Sequence, residues 1–499
     1  MASQIIKGFL SILGGRAVTL LVGAATTPIL ARLLGSAGYG DYGYVMSALG
    51  LITTMVGMGG LSSSIRKFLV EDRDIADWAA QTFGFYVRIG MLLAVSAGVA
   101  VVIFASSELS GEYLGEKFSL YLFVLAVLIV LEQLFSILRS TLMALSLEQY
   151  SEFFQASKKP VFALVAIALV SLGWGVVGAL VGQIVGGVIA VAGCLYYLRG
   201  ELSLKSVMRP TSKSFPRREL LTFNFGSIVF LFSLTSLYHI DILMLNPLVG
   251  SEQTGYYKAA LTAAEFLWFV PYAAQLVLVH SMSKLWSREE YDTISATASK
   301  VTRYTLLFTL LLIIGLSALA EPFVLVYYGQ EFTPTVGPLL LLLPGALGFA
   351  VARPILATSH GSGKIRILIY ATGSTAALNA VLNAVLIPRY GMHGAAVATS
   401  VGYGTMFVAH VWSARKIGFD PLAGIHPGRI LLTGAVAAAV IFPLSRLLQP
   451  QLVALLVVPP VGFVVFLAAA ITFGAIAEED LDRATTALSR SVRQLSIFK

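Results

Sequence analysis

Fourteen apolar runs divide the chain, and they leave it few ways to fold. They lie at roughly 9–32, 42–65, 82–105, 118–145, 159–173, 175–198, 220–247, 254–282, 299–320, 335–358, 364–387, 392–414, 428–447 and 452–475. A helix needs ~20 mostly apolar residues to cross a bilayer. All but the short fifth run meet that length. Barrel strands would instead read as ~10-residue alternating segments. Only 12% of the 499 residues are charged, about half of the ~25% usual in soluble proteins. The expected fold is therefore all-α, a polytopic membrane protein of about 14 transmembrane helices. The first run is too long for a signal-peptide core and is followed by Arg32 without a cleavage pattern. It is expected to belong to the fold.

Charge sets the expected orientation, because cytoplasmic loops carry excess Lys and Arg. With the N-terminus inside, 25 basic residues fall on inner segments and 5 on outer ones (Arg32, Lys117, Lys258, Arg389, Arg446). Both termini are then cytoplasmic, and the protein sits in the cell membrane. The net charge of +8 needs no nucleic acid to explain it. The single cysteine, Cys194, excludes a disulfide within the chain. The six histidines have no metal-ligand spacing on one helix. No metal and no cofactor are expected.

The chain repeats itself. Gly35-Ser36-Ala37-Gly38-Tyr39 after the first run matches Gly250-Ser251 and Gly255-Tyr256 after the seventh. Gly175-Val176-Val177-Gly178-Ala179 matches Gly391-Met392-His393-Gly394-Ala395 at nearly the same offset along the chain. Six spans per repeat is even, so both halves enter from one side. The expected organisation is an N-terminal lobe (1–205), a cytoplasmic linker (206–218), a C-terminal lobe (219–418), spans thirteen and fourteen (419–476) and an amphipathic cytoplasmic tail (477–499). The two pseudo-symmetric six-helix lobes would thus carry two extra C-terminal helices. Transporters place substrate sites at such repeat interfaces.

Three stretches resemble a known family. They are Ile29 to Tyr42; Asp241-Ile242-Leu243-Met244-Leu245 with Gly255 to Ala260; and Leu378 to Ala396. The first resembles the first-loop signature of the polysaccharide-transport (O-antigen-type) flippases of the multidrug/oligosaccharidyl-lipid/polysaccharide flippase superfamily. The other two resemble its seventh span with the following loop, and its eleventh–twelfth hairpin. The resemblance implies two six-helix lobes around a central cavity. It also implies movement of a lipid-linked oligosaccharide from the cytoplasmic to the outer leaflet. The implied partners are that substrate and the bilayer, with glycan-assembly enzymes as further candidates and a monomer as the working unit.

Such a cargo needs a wet cavity with fixed positive charge, since phosphate and glycan cannot cross hydrocarbon unassisted. Charge inside a span is costly and marks function by default. Arg16, Arg353, Arg88 and Arg139 fall within spans and are the phosphate candidates, because guanidinium pairs with two phosphate oxygens. Snorkelling or ion pairing is the alternative for each. Thr19, Asn224, Tyr238, Tyr272, Asn379 and Asn383 are candidates for glycan contact. The two asparagines serve equally as glue between helices. Asp241 with Lys258 or Arg32 is the expected outer gate or a permanent pair. Glu265 either binds a coupling ion or neutralises a cavity arginine.

Two other function classes compete. A multidrug/cation antiporter of the same superfamily expects an acidic or apolar cavity and usually twelve spans. A membrane-embedded glycan polymerase or glycosyltransferase needs a sizeable outer loop or a nucleotide-binding domain, and no loop here exceeds about 25 residues. The reading is a non-enzymatic transporter.

Overall fold

The protein is described from a computed structural model covering residues 2–202, 204–476 and 480, with side chains at 2–18, 204, 224 and 280 outside the described set. The described chain is helical. The first half holds α1 (Ala2–Met55), α2 (Met58–Phe68), α3 (Trp78–Ala105), α4 (Glu108–Leu114), α5 (Lys117–Ala144), α6 (Glu148–Leu169) and α7 (Gly175–Leu198). Then come α8 (Arg217–Val249), α9 (Ser251–Glu265), α10 (Phe269–Ser287), α11 (Tyr291–Ala318) and α12 (Ala320–Tyr327). The remainder is α13 (Val336–Gly361), α14 (Ile365–Ile417), α15 (Pro427–Leu447) and α16 (Gln451–Thr472).

In hydrocarbon every backbone N–H and C=O must be satisfied internally, so apolar runs become helices. Among the described residues eleven helical stretches are long and apolar enough to cross a membrane. Three of them are too long for one crossing. The 54-residue α1, the 51-residue stretch Glu148–Leu198 and the 53-residue α14 would each measure about 75–80 Å, against ~30 Å of hydrocarbon. Each folds back at a left-handed glycine: Gly35 (φ 68°), Gly173 (φ 89°) and Gly391 (φ 54°). With these breaks the described chain has the fourteen expected crossings.

The repeat is visible in the backbone. Gly35 (φ 68°, ψ 174°) and Gly250 (φ 89°, ψ 172°) adopt one conformation. So do Gly175 (φ 52°, ψ −136°) and Gly391 (φ 54°, ψ −134°). The pattern extends beyond those motifs. Gly115 and Gly329 follow the short helices α4 and α12, and they stand at close to the same offset. Asp77 pairs with Glu289, and Ser146 with Gly363, in the same way; all six have positive φ. Asp, Glu and Ser adopt such angles uncommonly, so their recurrence reflects one fold used twice.

The two repeats meet reciprocally. A Cβ on Gly40 would collide with the carbonyl of Ser251, and a Cβ on Gly255 would collide with the carbonyl of Ser36. Gly40 corresponds to Gly255, and Ser36 to Ser251, under the repeat offset, as at an isologous contact. Glycine is required here because two backbones touch, as at small-residue crossings in membranes.

The fifth span differs from expectation. It begins at Glu148 and not near 159, so Lys158 and Lys159 lie inside a 22-residue helix. Hydropathy misplaced its start because Lys158 is neutralised there: its Nζ donates to both Glu132 carboxylate oxygens at 2.6 and 2.8 Å.

Packing forms two compact units, Met1–Ala260 with Ile365–Gly402, and Leu261–Lys364 with Tyr403–Lys499. The first has a core of Phe83, Tyr86, Phe135, Leu138 and Phe154, extended by Phe215 and Leu220 from beyond α7. The second is centred on Leu307, Ile314, Ile430, Ile441, Val458 and Phe466, which joins α15 and α16 to α11. Of the tail expected to be amphipathic, only Asp480 is described. Its carboxylate accepts from Lys300, from Arg303 at 3.1 Å and from the Tyr304 hydroxyl at 2.5 Å.

Two outcomes follow from these contacts. Gly255→Ala forces two helices apart and should destabilise the protein by about 1–3 kcal/mol, read as a lower melting temperature in detergent. Asp480 is held below its ordinary value of 3.8, first by the Lys300 bond and then by Tyr304. A depressed carboxyl stabilises above its unfolded pKa and loses that contribution as pH falls through its folded pKa. Asp480→Asn should therefore cost below about 1 kcal/mol at neutral pH. The difference from wild type should vanish in melts below that carboxyl range.

Candidate substrate site and ion cluster

Three glycines of α1, Gly23 before the fold-back at Gly35 and Gly43 and Gly50 after it, each make room for a polar side chain from another helix. A Cβ on Gly23 would lie 3.5 Å from Lys159 Cε of α6. A Cβ on Gly43 would lie 3.1 Å from Lys258 Cγ of α9, and one on Gly50 would lie 2.6 Å from His239 Nε2 of α8. Gly43 and Gly50 are seven residues apart and share a helix face. Thr54 continues it, with its hydroxyl 3.3 Å from that of Thr235.

Lys159 is half-buried and Lys258 likewise, and each lies within electrostatic reach of the other. Neither belongs to an ion pair among the described residues. Lys159 does lie 4.9 Å from the Phe162 ring centroid. These two ammonium groups were not expected here. Lys159 reads as a loop residue when the fifth span is started too late, and Lys258 reads as an outer residue. The adjacent small-residue stripe Thr19, Gly23, Thr26 was the legible clue.

The predicted arginines disperse. Arg16 falls in the part of α1 whose side chains lie outside the described set. Arg88 is only partly exposed, and its Nη1 donates to the carbonyls of Ser206 (3.2 Å), Val207 (2.9 Å) and Arg209 (2.5 Å). Arg139 is ion-paired to Glu152. Arg353, which the repeat offset aligns with Arg139, is 7% exposed. It donates to Gln275 Oε1 at 3.0 Å and lies 4.8–5.5 Å from the ring centroids of Phe349, Tyr272 and Trp268. Cation–π attraction of this kind stabilises a desolvated guanidinium. Tyr272 is the exposed member of that box, and Trp268 is buried with its Nε1 donating to the carbonyl of Ala346 at 3.0 Å.

Asp241, expected with Lys258 or Arg32 at an outer gate, takes its hydrogen bonds from hydroxyl and backbone donors, with Lys258 within electrostatic reach. Asp241 is fully buried and belongs to no ion pair with Lys258 or Arg32 among the described residues. It accepts from the Tyr257 hydroxyl, from Thr399 Oγ1 at 3.0 Å and from the backbone N–H of Ile242 at 2.7 Å. Hydroxyl donors on neighbouring helices satisfy it at lower cost than a long lysine drawn from its own stripe. Asn379 and Asn383 of α14 are both fully buried, and Asn379 shares Thr399 with Asp241. Asn379 Nδ2 donates to Thr399 Oγ1 at 3.4 Å and Asn383 Nδ2 to the carbonyl of Asn379 at 3.0 Å. Their side-chain oxygens Oδ1 have no hydrogen-bond partner among the described residues.

Lys117 and Asp41 form an ion pair within the first repeat, and Lys117 also reaches the second. Lys117 Nζ lies 2.6 Å from Asp41 Oδ2 and 3.1 Å from Ser251 Oγ. Asp41 lies inside the first-loop signature and went unread. Arg32 is exposed, Glu265 ends α9 before a 3₁₀ turn at Phe266–Trp268, and Tyr238 lies 6.3 Å from the His239 ring. Thr19 is half-buried on the Gly23 face of α1, and the side chain of Asn224 lies outside the described set.

One hydrogen bond is duplicated. Tyr42 accepts from Gln183 Nε2 at 2.8 Å. Their counterparts in the second repeat, Tyr257 and Thr399, are bonded at 3.0 Å. The residue equivalent to Asp241 in the first repeat is Thr26, whose hydroxyl donates to the carbonyl of Val22 at 2.6 Å.

Fourteen crossings arranged as two six-span repeats, with polar groups gathered on glycine-opened faces, define a multi-pass membrane protein of transporter fold. The family of polysaccharide biosynthesis proteins matches over residues 5–270. The chain belongs to that family, within the multidrug/oligosaccharidyl-lipid/polysaccharide flippase superfamily. It is 21% identical over 384 residues to the probable low-salt glycan biosynthesis flippase Agl15 of Haloferax volcanii, covering 76% of this chain and 77% of that one. It is 22% identical to an uncharacterized membrane protein of Methanocaldococcus jannaschii, over 36% of each chain. The fold is also that of the lipid II flippase MurJ in an inward closed conformation, with a TM-score of 0.74, 14% identity and coverage of 95% and 99%.

Proposed function

We propose that this protein is a flippase for an oligosaccharide linked to a polyprenyl or dolichyl phosphate carrier, moving it from the cytoplasmic to the outer leaflet by alternating access. The observation that carries this reading is the pair Lys159 and Lys258. Two ammonium groups on membrane helices, Lys159 in no ion pair among the described residues and Lys258 with the Asp241 carboxylate as an electrostatic neighbour, leave net positive charge that an anion would balance. A phosphate or diphosphate headgroup supplies that anion. In the second unit an apolar groove of about 560 Å³, lined by Phe266, Leu311, Leu316, Phe323, Leu455 and Val458, suits a carrier's hydrocarbon tail. Arg353 of that unit is already engaged by Gln275 and three rings, and its box offers Tyr272 to a sugar ring. The relatives described as a glycan biosynthesis flippase and a lipid II flippase support the same substrate class. A cation antiporter would place carboxylates, not lysines, at 159 and 258.

The cycle uses no covalent chemistry. The headgroup enters between Lys159 and Lys258, while Asp41, Lys117 and Ser251 hold the outer ends of the repeats together. Release of the Lys117–Ser251 bond, with parting of the Gly40 and Gly255 backbones, lets the glycan leave outside. The Asp241 cluster would supply coupling, as a buried carboxylate held by the Tyr257 and Thr399 hydroxyls that can take up a proton or a small monovalent cation.

Lys159→Gln and Lys258→Gln should each slow flipping of a fluorescent polyprenyl-diphosphate sugar in proteoliposomes by about 10- to 100-fold, the loss of one charge-assisted bond. Unchanged rates in both variants, at equal protein levels, would overturn the proposal. Asp241→Asn should abolish any dependence of the rate on a proton or sodium gradient and leave headgroup binding intact. A gradient dependence that survives the substitution would remove Asp241 from coupling.

A further inference from the structure

The segment between α7 and α8 is fastened to α3 at many points. Arg88 Nη1 holds three carbonyls of its single turn, those of Ser206, Val207 and Arg209. Gly84 is required beneath that turn, since a Cβ would strike the Ser206 carbonyl. The N–H of Ser212 donates to Gln81 Oε1 at 2.7 Å. Phe215 packs 5.2 Å from both Trp78 and Phe85.

These anchors fix the depth of the strap. Its turn lies against Gly84 and Arg88, six and ten residues into α3, which is ~9–15 Å along the helix axis. The apolar run of that helix begins at about 82. The turn therefore sits at the level where hydrocarbon meets headgroups, not out in solvent. What it presents there is one apolar side chain ringed by positive charge. Met208 is 92% exposed, and Lys205, Arg209, Lys213 and Arg218 are all exposed around it. Their backbone is held, so these side chains lose little further freedom on binding. An apolar residue flanked by cations at this depth matches the chemistry of an anionic membrane surface, worth ~1 kcal/mol for each basic residue near it.

We propose that residues 205–218 form an interfacial anchor that binds anionic phospholipid headgroups of the leaflet it faces, with Met208 inserted among the acyl chains. The full-length protein is placed in nanodiscs of phosphatidylcholine alone or mixed equally with phosphatidylglycerol. A bimane label at Met208→Cys should be quenched by brominated acyl chains and shielded from aqueous iodide. Phosphatidylglycerol retained in native mass spectra should fall several-fold in the combined variant Lys205→Gln, Arg209→Gln, Lys213→Gln. Retention should persist in the charge-preserving Lys205→Arg, Arg209→Lys, Lys213→Arg. Arg88→Ala should loosen the strap and raise iodide access. Quenching by iodide and not by brominated lipid in the wild-type background would overturn the proposal. So would undiminished phosphatidylglycerol in the charge-removed variant, and would turn the patch toward an acidic soluble partner.

Discussion

The structure depends on what the bilayer does to a charge that has no opposite beside it. Most charges carried into the spans are answered locally: Lys158 by Glu132, Arg139 by Glu152, Arg88 by three carbonyls, Arg353 by rings and an amide. Each answer ties two segments together, so the cost of the charge becomes a cross-link between helices. Lys159 and Lys258 stand outside this scheme of carboxylate pairing. The same physics that makes the others structural is what the proposed anionic headgroup would answer at these two.

Backbone geometry is the second constraint. Paired reversals recur at 35 and 250, 77 and 289, 115 and 329, 146 and 363, and 175 and 391. Short turns between long helices demand left-handed residues, and their placement preserves the register of both halves. The Gly40 and Gly255 contact makes the halves touch where their backbones are barest. Such contacts in a membrane rest on packing, since lipid tails offer no hydrophobic drive to separate from.

Much of the architecture was legible because apolar length is a strong signal. The fourteen crossings and the two glycine motifs were read correctly from the residues. The start of the fifth span was misread, because a window average treats Lys158 as exposed charge and cannot see Glu132 beneath it. The site was legible only in kind. Cations inside spans were expected, but sequence cannot tell an arginine that is ion-paired from a lysine in no ion pair among the described residues. Arg139 and Glu152 are 13 residues apart and so within reach of sequence reasoning. Lys258 and Gly43 belong to different repeats, and only the folded chain brings them together. Asp241 was singled out, yet its partner Thr399 lies 158 residues away.

The tyrosine bridge present in both halves carries a consequence of its own. Tyr42 with Gln183 and Tyr257 with Thr399 are copies of one brace, but only the later copy has a carboxylate, Asp241, where the earlier has Thr26. The two halves are therefore braced at matching places by different chemistry, and a buried carboxylate stands in the later one where the earlier has a hydroxyl bonded to its own helix.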